Sequence, residues 1–510
     1  MKKLPIGVQT FSEMIHGNYV YVDKTRLIHR MIDTGKVYFL SRPRRFGKSL
    51  TVSTLEEIFK GNKELFKGQW IYDKIDWQPY PVIHIDFSEV SKKNLPLIDT
   101  LNLVLDEIAA EYNVDLKQDN FGLKFRELIK ALAKERSVVI LIDEYDKPII
   151  DYLEKDKKMM AVENRDLLKD FYSVLKGNDA NIKFLFMTGV SKFSKVSIFS
   201  DLNHLGEISL NPHYAALTGY THEELKTCFA DYLEKSSVTL GIERVFEMIT
   251  DWYDGYSWDG KTFVFNPFSI LNFFENNKFD DYWFRSGTPN FLMKLIKERS
   301  SYFQPHRLDG MRVESSVFDK FDPEKIELTA LLFQTGYLTI KDYDYLKSKY
   351  MLQFPNNEVR KSFNIHLLSE LSEKGSDQNA LLLNDIVEAL NSGDVERFIT
   401  HLRVLYKNIS YPLIEKTENY YHTLFYSVIK LLGFDIETEV LTSDGRIDAV
   451  IKTDHYIYIL EFKMGKAEEA IAQIKRKEYA LKYLNDQREL VLVGIGFNPE
   501  TKNVEDFIEE

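Results

Sequence analysis

The sequence predicts a multidomain α/β protein, with a parallel sheet in its first two hundred residues and a smaller α/β unit at its end. Three observations carry that expectation. The chain has 510 residues, too many for one hydrophobic core. Up to about Leu210, apolar runs (VYFLS, PVIHIDF, SVVILID, KFLFMTG) alternate with charged segments of helical period, as in a parallel sheet whose strands are buried on both faces. From about Thr417 the order reads helix, three strands, helix, strand.

Between these ends the pattern is less regular. From about Thr218 to Asn272 short helices are interrupted by the turn-rich DWYDGYSWDG. Residues 283–345 are mixed, with SGTPNF and QTGYLTIK as loop and strand pieces, and 358–407 are helical. The expected domains are 1–215, 216–345, 346–410 (a helical connector) and 411–510.

Composition sets limits. With 44% hydrophobic and 28% charged residues, the chain resembles an ordinary soluble globular protein. No apolar run approaches the roughly 18 residues that span a bilayer, and the basic pair near the start has no apolar stretch behind it. The lone Cys228 leaves no intramolecular disulfide and no cysteine-rich zinc site. The expectation is a cytoplasmic protein without a membrane partner. A net charge of −12 counts against a surface coated for nucleic acid, although a local basic groove binds phosphates on an acidic protein as well.

The first motif lies in VYFLSRPRRFGKSLTVSTLEEIF, a buried strand, a loop ending Gly47-Lys48-Ser49, and a helix. This is a phosphate-binding P-loop context, where backbone N–H groups at a helix start cradle phosphates. Lys48 would reach the β- and γ-phosphates and Ser49 would hold Mg²⁺, with Arg45, Phe46, Gly47 and Leu50 completing the loop around ATP. Arg42 stands where the common motif has its first glycine, so the entry to the loop must differ from the usual form. Asp143 and Glu144 close the apolar run SVVILIDE. Such a strand delivers acids at its carboxyl end, where Asp143 would coordinate Mg²⁺ and Glu144 would act as general base on the attacking water. Thr188 either senses the γ-phosphate or simply closes its strand. Arg44 and Arg45 either stabilise transferred phosphate or are solvated loop residues.

The N-terminal half resembles the bacterial AAA-ATPase-like proteins. The resemblance rests on Tyr21-Val22-Asp23-Lys24-Thr25, Arg42 through Ser49, Asp143-Glu144-Tyr145-Asp146, Thr188-Gly189-Val190, Trp252 through Tyr256, and Asn266-Pro267. It covers about residues 4–290 and implies a P-loop NTPase sheet followed by a helical and winged-helix-like lid. An arginine at the position of Arg42 is usual in that family. AAA-like ATP sites often lie between subunits, which raises a homo-oligomer formed through the ATPase domain.

The second constellation is C-terminal. Asp448 lies on the strand GRIDAVI, and Glu461 and Lys463 lie on HYIYILEFK after a tight turn. Alternation puts Glu461 and Lys463 on one face, and hairpin register brings Asp448 opposite Glu461. Two carboxylates holding Mg²⁺ and a lysine offsetting phosphorane charge suit phosphodiester hydrolysis. An amphipathic hairpin with a surface salt bridge would show the same three residues. Its surroundings favour the nuclease: a preceding helix with Glu418, Glu439 on the strand before, and a following helix with Gln473 and Lys477 at i, i+4.

This end resembles the PD-(D/E)XK nuclease superfamily, whose domain is restriction-endonuclease-like α/β. The matching residues are Tyr421-His422, Gly433, Glu439, Gly445 through Asp448, Glu461-Phe462-Lys463, Gln473-Ile474 and Tyr479. Ile447 replaces the motif's proline, and Tyr479 falls six residues after Gln473 where RecB-type members have four. The resemblance implies Asp448 and Glu461 as ligands of Mg²⁺ (or Mn²⁺), Lys463 as the catalytic lysine and Gln473 as the auxiliary helix residue. The combined expectation is ATP-regulated cleavage of nucleic acid, DNA ahead of RNA. The alternatives are an ATP-driven regulatory switch, or a nucleic-acid or protein binding module with a residual nuclease fold.

Overall fold

In the computed structural model, the early apolar runs form β1 (Val37–Ser41), β2 (Val82–Asp86), β3 (Val138–Asp143), β4 (Ile182–Gly189) and the short β5 (Gly206–Glu207). They make one sheet in the order β2-β3-β4-β1-β5, with every pair parallel. All residues of β1 and β3 are buried, as strands covered on both faces require. Register places Asp86 at the end of β2 opposite Asp143, and Ser41 opposite Gly189. β4 therefore separates the strand that feeds the phosphate loop from the strand that carries the acids.

The described residues are all but 91–94, 155, 193–204, 288–291, 293–294, 297–307, 320–323, 325, 372–375, 408–424, 427, 430–431, 433, 443–444, 499 and 502. They divide into two compact units, Met1–Gly287 with Gly310–Val359 and Thr288–Asp309 with Arg360–Glu510. The four expected segments are thus regrouped. In the first unit, the helices Val245–Tyr253 and Pro267–Asn276 share a core with Val20 and Val22 near the N-terminus. The helix Leu328–Gln334 then leads to an antiparallel hairpin, β7 (Thr339–Asp344) and β8 (Lys349–Gln353), joined by β6 (Met311–Glu314) in the order β6-β8-β7. This helix and hairpin belong to the first unit, where the Thr339 hydroxyl accepts from the Ser257 backbone N–H and donates to the Ser257 carbonyl.

The expected connector 346–410 does not stand alone. Its start is β8, in the first unit. Its helices Ser376–Ser392 and Val395–Lys407 cover one face of the C-terminal sheet: Tyr458 donates to the Leu390 carbonyl, Tyr406 packs on Phe497, and Arg403 donates to the Val504 carbonyl. That sheet holds β9 (Asp435–Thr442), β10 (Gly445–Lys452), β11 (Tyr456–Met464), β12 (Glu489–Asn498) and β13 (Asn503–Glu509), in the order β13-β12-β11-β10-β9. Only β11–β12 is parallel, and its crossover is the helix Ala467–Arg476, which packs Ile471 and Ile474 against Val450, Ile457 and Ile459. Close packing of that helix relies on Gly494, where a Cβ would crowd the Ile471 nitrogen and the Ala467 carbonyl. β13 is a strand the sequence reading lacked, since VEDFIEE is too acidic to read as a buried run. It is an edge strand, where charge is tolerated.

Candidate functional site

The phosphate loop is shaped by partners from distant parts of the first unit. Gly47 caps the helix Lys48–Phe59 in the left-handed region, φ 89°, which glycine adopts without penalty. Arg45 is also left-handed at φ 69°, and its guanidinium lies 4.6 Å over the Phe268 ring. Arg42 is not a left-handed residue, and this is how it replaces the usual glycine. Its guanidinium is 1% exposed, donates to the Ser41 and Ser209 carbonyls at 2.9 and 2.8 Å, and stacks 3.8 Å over Trp258. Burial pulls it down to about 9, against the nearby charges of Glu207 and Asp259, so it stays charged at neutral pH. Lys48 Nζ donates to the Arg42 and Pro43 carbonyls, both at 3.1 Å.

Four acids gather at the ends of β2 and β3. Asp143 is buried and accepts from the Glu144 backbone at 2.9 Å, and the nearby Ser49 hydroxyl draws its carboxyl down. Glu144 is left-handed at φ 48°, a strained position of the sort found at functional sites. Burial pushes both carboxyls up, and the Lys48 charge opposes it; burial in turn lowers Lys48, against the pull of Glu144, Asp143 and Asp146. Asp146 is engaged elsewhere, accepting from the backbones of Val190 and Ser191 and so pinning β4. Asp86, which the sequence reading did not single out, faces Asp143 across β2–β3 and raises both Asp143 and Glu144. An acid ending an apolar run was its only local sign.

Arg45, Gly47, Lys48, Ser49, Leu50 and Glu144 line one cavity of about 410 Å³. Its other walls come from Pro5 to Gln9, from Tyr220, and from Pro267, Phe268, Leu271 and Asn272. Those walls were missed in the sequence, apart from Pro267 as part of Asn266-Pro267. Three expected nucleotide contacts, Asp143, Phe46 and Thr188, are not among the residues that line this cavity. The Phe46 ring is buried against Tyr256 and Trp258, because an aromatic ring finds apolar cover there. Thr188 is fully buried opposite Leu40, and its hydroxyl has no partner among the described residues.

The second site is on the face of the C-terminal sheet that the helix Ala467–Arg476 covers. The antiparallel pairing of Ala449 with Leu460 sets Asp448 against Glu461, and Asp448 Oδ2 accepts from the Phe462 backbone at 2.9 Å. Glu461 is 1% exposed. Its Oε1 receives the Gln473 amide and lies 3.4 Å from Lys463 Nζ. Its Oε2 is buried without a hydrogen-bond partner among the described residues. Burial and the Asp448 charge push Glu461 up to about 7, with Lys463 opposing. Lys477 caps the helix one turn after Gln473, its backbone N–H donating to the Gln473 carbonyl at 3.0 Å. Tyr479 is a buried core residue whose hydroxyl donates to the Arg446 carbonyl at 2.8 Å, fixing β10 two residues before Asp448. Glu418, Tyr421, His422, Gly433 and the side chain of Glu439 lie outside the described residues. Among the described residues no group of three or more His, Cys, Asp or Glu is placed to hold a metal ion. A buried carboxylate oxygen lacking a donor, beside a second carboxylate, nevertheless fits a divalent cation.

Comparison with known proteins matches both halves. A family model described as "Predicted AAA-ATPase" covers residues 5–199, and one of the PD-(D/E)XK nuclease superfamily covers 416–507. An Azotobacter chroococcum mcd 1 protein, "Uncharacterized protein in vnfD 5'region", is 39% identical over 528 positions, covering 100% of this chain and 99% of that protein. The chain belongs to the AAA-ATPase-like family with a C-terminal PD-(D/E)XK nuclease superfamily domain. The structure of the Aeropyrum pernix Orc1 protein in complex with DNA is similar at 11% identity, over 69% of this chain and 96% of that one. The TM-score of that match is 0.28. No described helix of the chain is long and apolar enough to cross a membrane.

Proposed function

We infer that the protein binds and hydrolyses ATP in its first unit and, under control of that nucleotide, cleaves DNA phosphodiester bonds with Mg²⁺ in its C-terminal sheet. The observation that carries the nuclease half is Glu461, held by Gln473 and Lys463 with one buried oxygen left for a cation. Asp448 and Glu461 would hold the ion. When bound, a divalent cation there polarises the phosphate and makes its water a better nucleophile. Lys463 offsets charge developing on the phosphate, and Gln473 keeps Glu461 turned toward the site.

In the first unit, the helix start after Gly47 and the Lys48 ammonium receive phosphate oxygens. Ser49 and Asp143 suit Mg²⁺, and Glu144 at the cavity wall takes the proton of the attacking water. Pro5, Ile6, Val8 and Phe268 give the nucleotide's base an apolar wall. Linear, supercoiled and single-stranded DNA, and RNA, incubated with Mg²⁺ or Mn²⁺, with and without ATP, test the whole scheme. Cleavage that survives Lys463→Ala removes the nuclease assignment, and cleavage indifferent to both ATP and Lys48→Ala removes the regulation.

A further inference from the structure

The five residues before Gly47 each lean on the second half of the first unit. Arg42 stacks on Trp258, Arg45 lies over Phe268, and Phe46 packs on Tyr256 and Trp258. Pro43 is so close to Gly336 that a Cβ there would stand 2.8 Å from its ring. Arg44 is held through its backbone: the Trp283 indole donates to its carbonyl at 3.1 Å. Trp283 is 1% exposed, set among Tyr256 and Tyr337, and its own backbone N–H donates to Glu358 at 2.6 Å.

Glu358 is fully buried, an expensive place for a carboxyl unless it is hydrogen-bonded. Its other oxygen accepts from the Ser269 hydroxyl at 2.7 Å. Ser269 belongs to the helix Pro267–Asn276, which supplies Pro267, Phe268, Leu271 and Asn272 to the cavity wall. Just upstream, Asn356 donates to the Asp254 carbonyl and caps Val359, while left-handed Gly255 leaves no room for a Cβ beside the Pro355 carbonyl. The Trp252 to Tyr256 motif thus anchors the segment 355–358. The first unit ends at Val359, within the helix Asn357–Leu371.

We propose that Trp283 and Glu358 are positioning residues for the phosphate loop, tying the Arg44 carbonyl and the cavity helix to the segment where the chain leaves the first unit. The argument turns on Lys48. Its ammonium is bound to the carbonyls of Arg42 and Pro43, next to the carbonyl that Trp283 holds. A phosphate that takes the ammonium releases those two carbonyls, and the loop then shifts against a fixed bond at Arg44. The displacement passes through Trp283 to Glu358, and so to residues 355–359. This rests on the nucleotide assignment of the loop and adds to it the route by which occupancy is felt.

The test uses the full chain, Trp283→Phe, Glu358→Gln and Lys48→Ala, with ATP and Mg²⁺ as the probe. Trp283→Phe keeps a ring among Tyr256 and Tyr337 and deletes the indole donor together with the volume of the second ring. Wild type is expected to change hydrogen exchange across 353–359 on adding ATP. Trp283→Phe is expected to bind ATP about fivefold more weakly, the worth of one hydrogen bond, and to lose that exchange response. Glu358→Gln, which retains a carbonyl acceptor for the Trp283 backbone, should lose the response in part and reads the same link if Trp283→Phe does not fold. A purely structural role would lower thermal stability but leave the ATP-dependent exchange intact, and would overturn the proposal. If wild type binds ATP, Lys48→Ala does not, and both other variants match wild type, only this inference falls. If wild type binds no ATP, the nucleotide assignment falls and takes it along.

Discussion

At the phosphate loop the polar groups stand at the ends of elements, Asp143 closing β3 and Lys48 and Ser49 opening a helix, and the turns beside them hold the backbone of Arg45 and Glu144 in the left-handed region. In the C-terminal sheet Asp448, Glu461 and Lys463 stand on the strands themselves, in ordinary extended backbone. A turn has no ladder to fix it, so side chains far away in sequence must do so: Trp258 under Arg42, Trp283 on Arg44, Tyr256 on Phe46. A strand face is fixed by pleat and register alone, and needs only one covering helix to supply Gln473. The loop should therefore be sensitive to remote substitutions, and the sheet site mainly to its own residues.

The largest expected effect tests the independence of the two sites. On the proposed function, in which Lys463 offsets charge in the transition state, Lys463→Ala should lower the cleavage rate about a thousandfold while leaving ATP affinity unchanged. Nuclease rates beside nucleotide titrations check this, and a fall in ATP binding would break the contrast. Lys48→Ala should weaken ATP binding by about a hundredfold or more, removing the ATP response of cleavage but not the cleavage measured without nucleotide.

Arg42→Gly sharpens the comparison, since it restores the commoner loop sequence. It also deletes a buried guanidinium with three carbonyl partners, Ser41, Ser209 and Tyr214, and an indole beneath it. Urea unfolding should show a loss of about 2 kcal/mol, and tighter ATP binding is not expected.

The smallest effect is on pH. Glu461 sits at about 7 in the folded chain, above an ordinary carboxyl, so on the proposed function its proton would compete with a bound cation. Mg²⁺ affinity at the C-terminal site should be full above pH 8 and lower by about tenfold at pH 6, where most of Glu461 is protonated. Metal titration of Lys48→Ala, which isolates that site, checks the slope.

Local pattern determined much of this protein. The runs VYFLS and SVVILID had to be buried strands, GKS had to open a helix, and the alternation in YILEFK had to put Glu461 and Lys463 together. Those properties follow from periodicity within a few residues, which a sequence displays directly. Tertiary structure decided what covers what. It put Asp86 beside Asp143 because strand order brings β2 next to β3. It turned Arg42 inward onto Trp258, more than two hundred residues away, and buried Phe46 and Thr188 off the cavity wall. It gave the helices of 376–407 to the C-terminal sheet, whose second face they bury. An amphipathic pattern records that a face is covered, and only long-range packing chooses the partner that covers it.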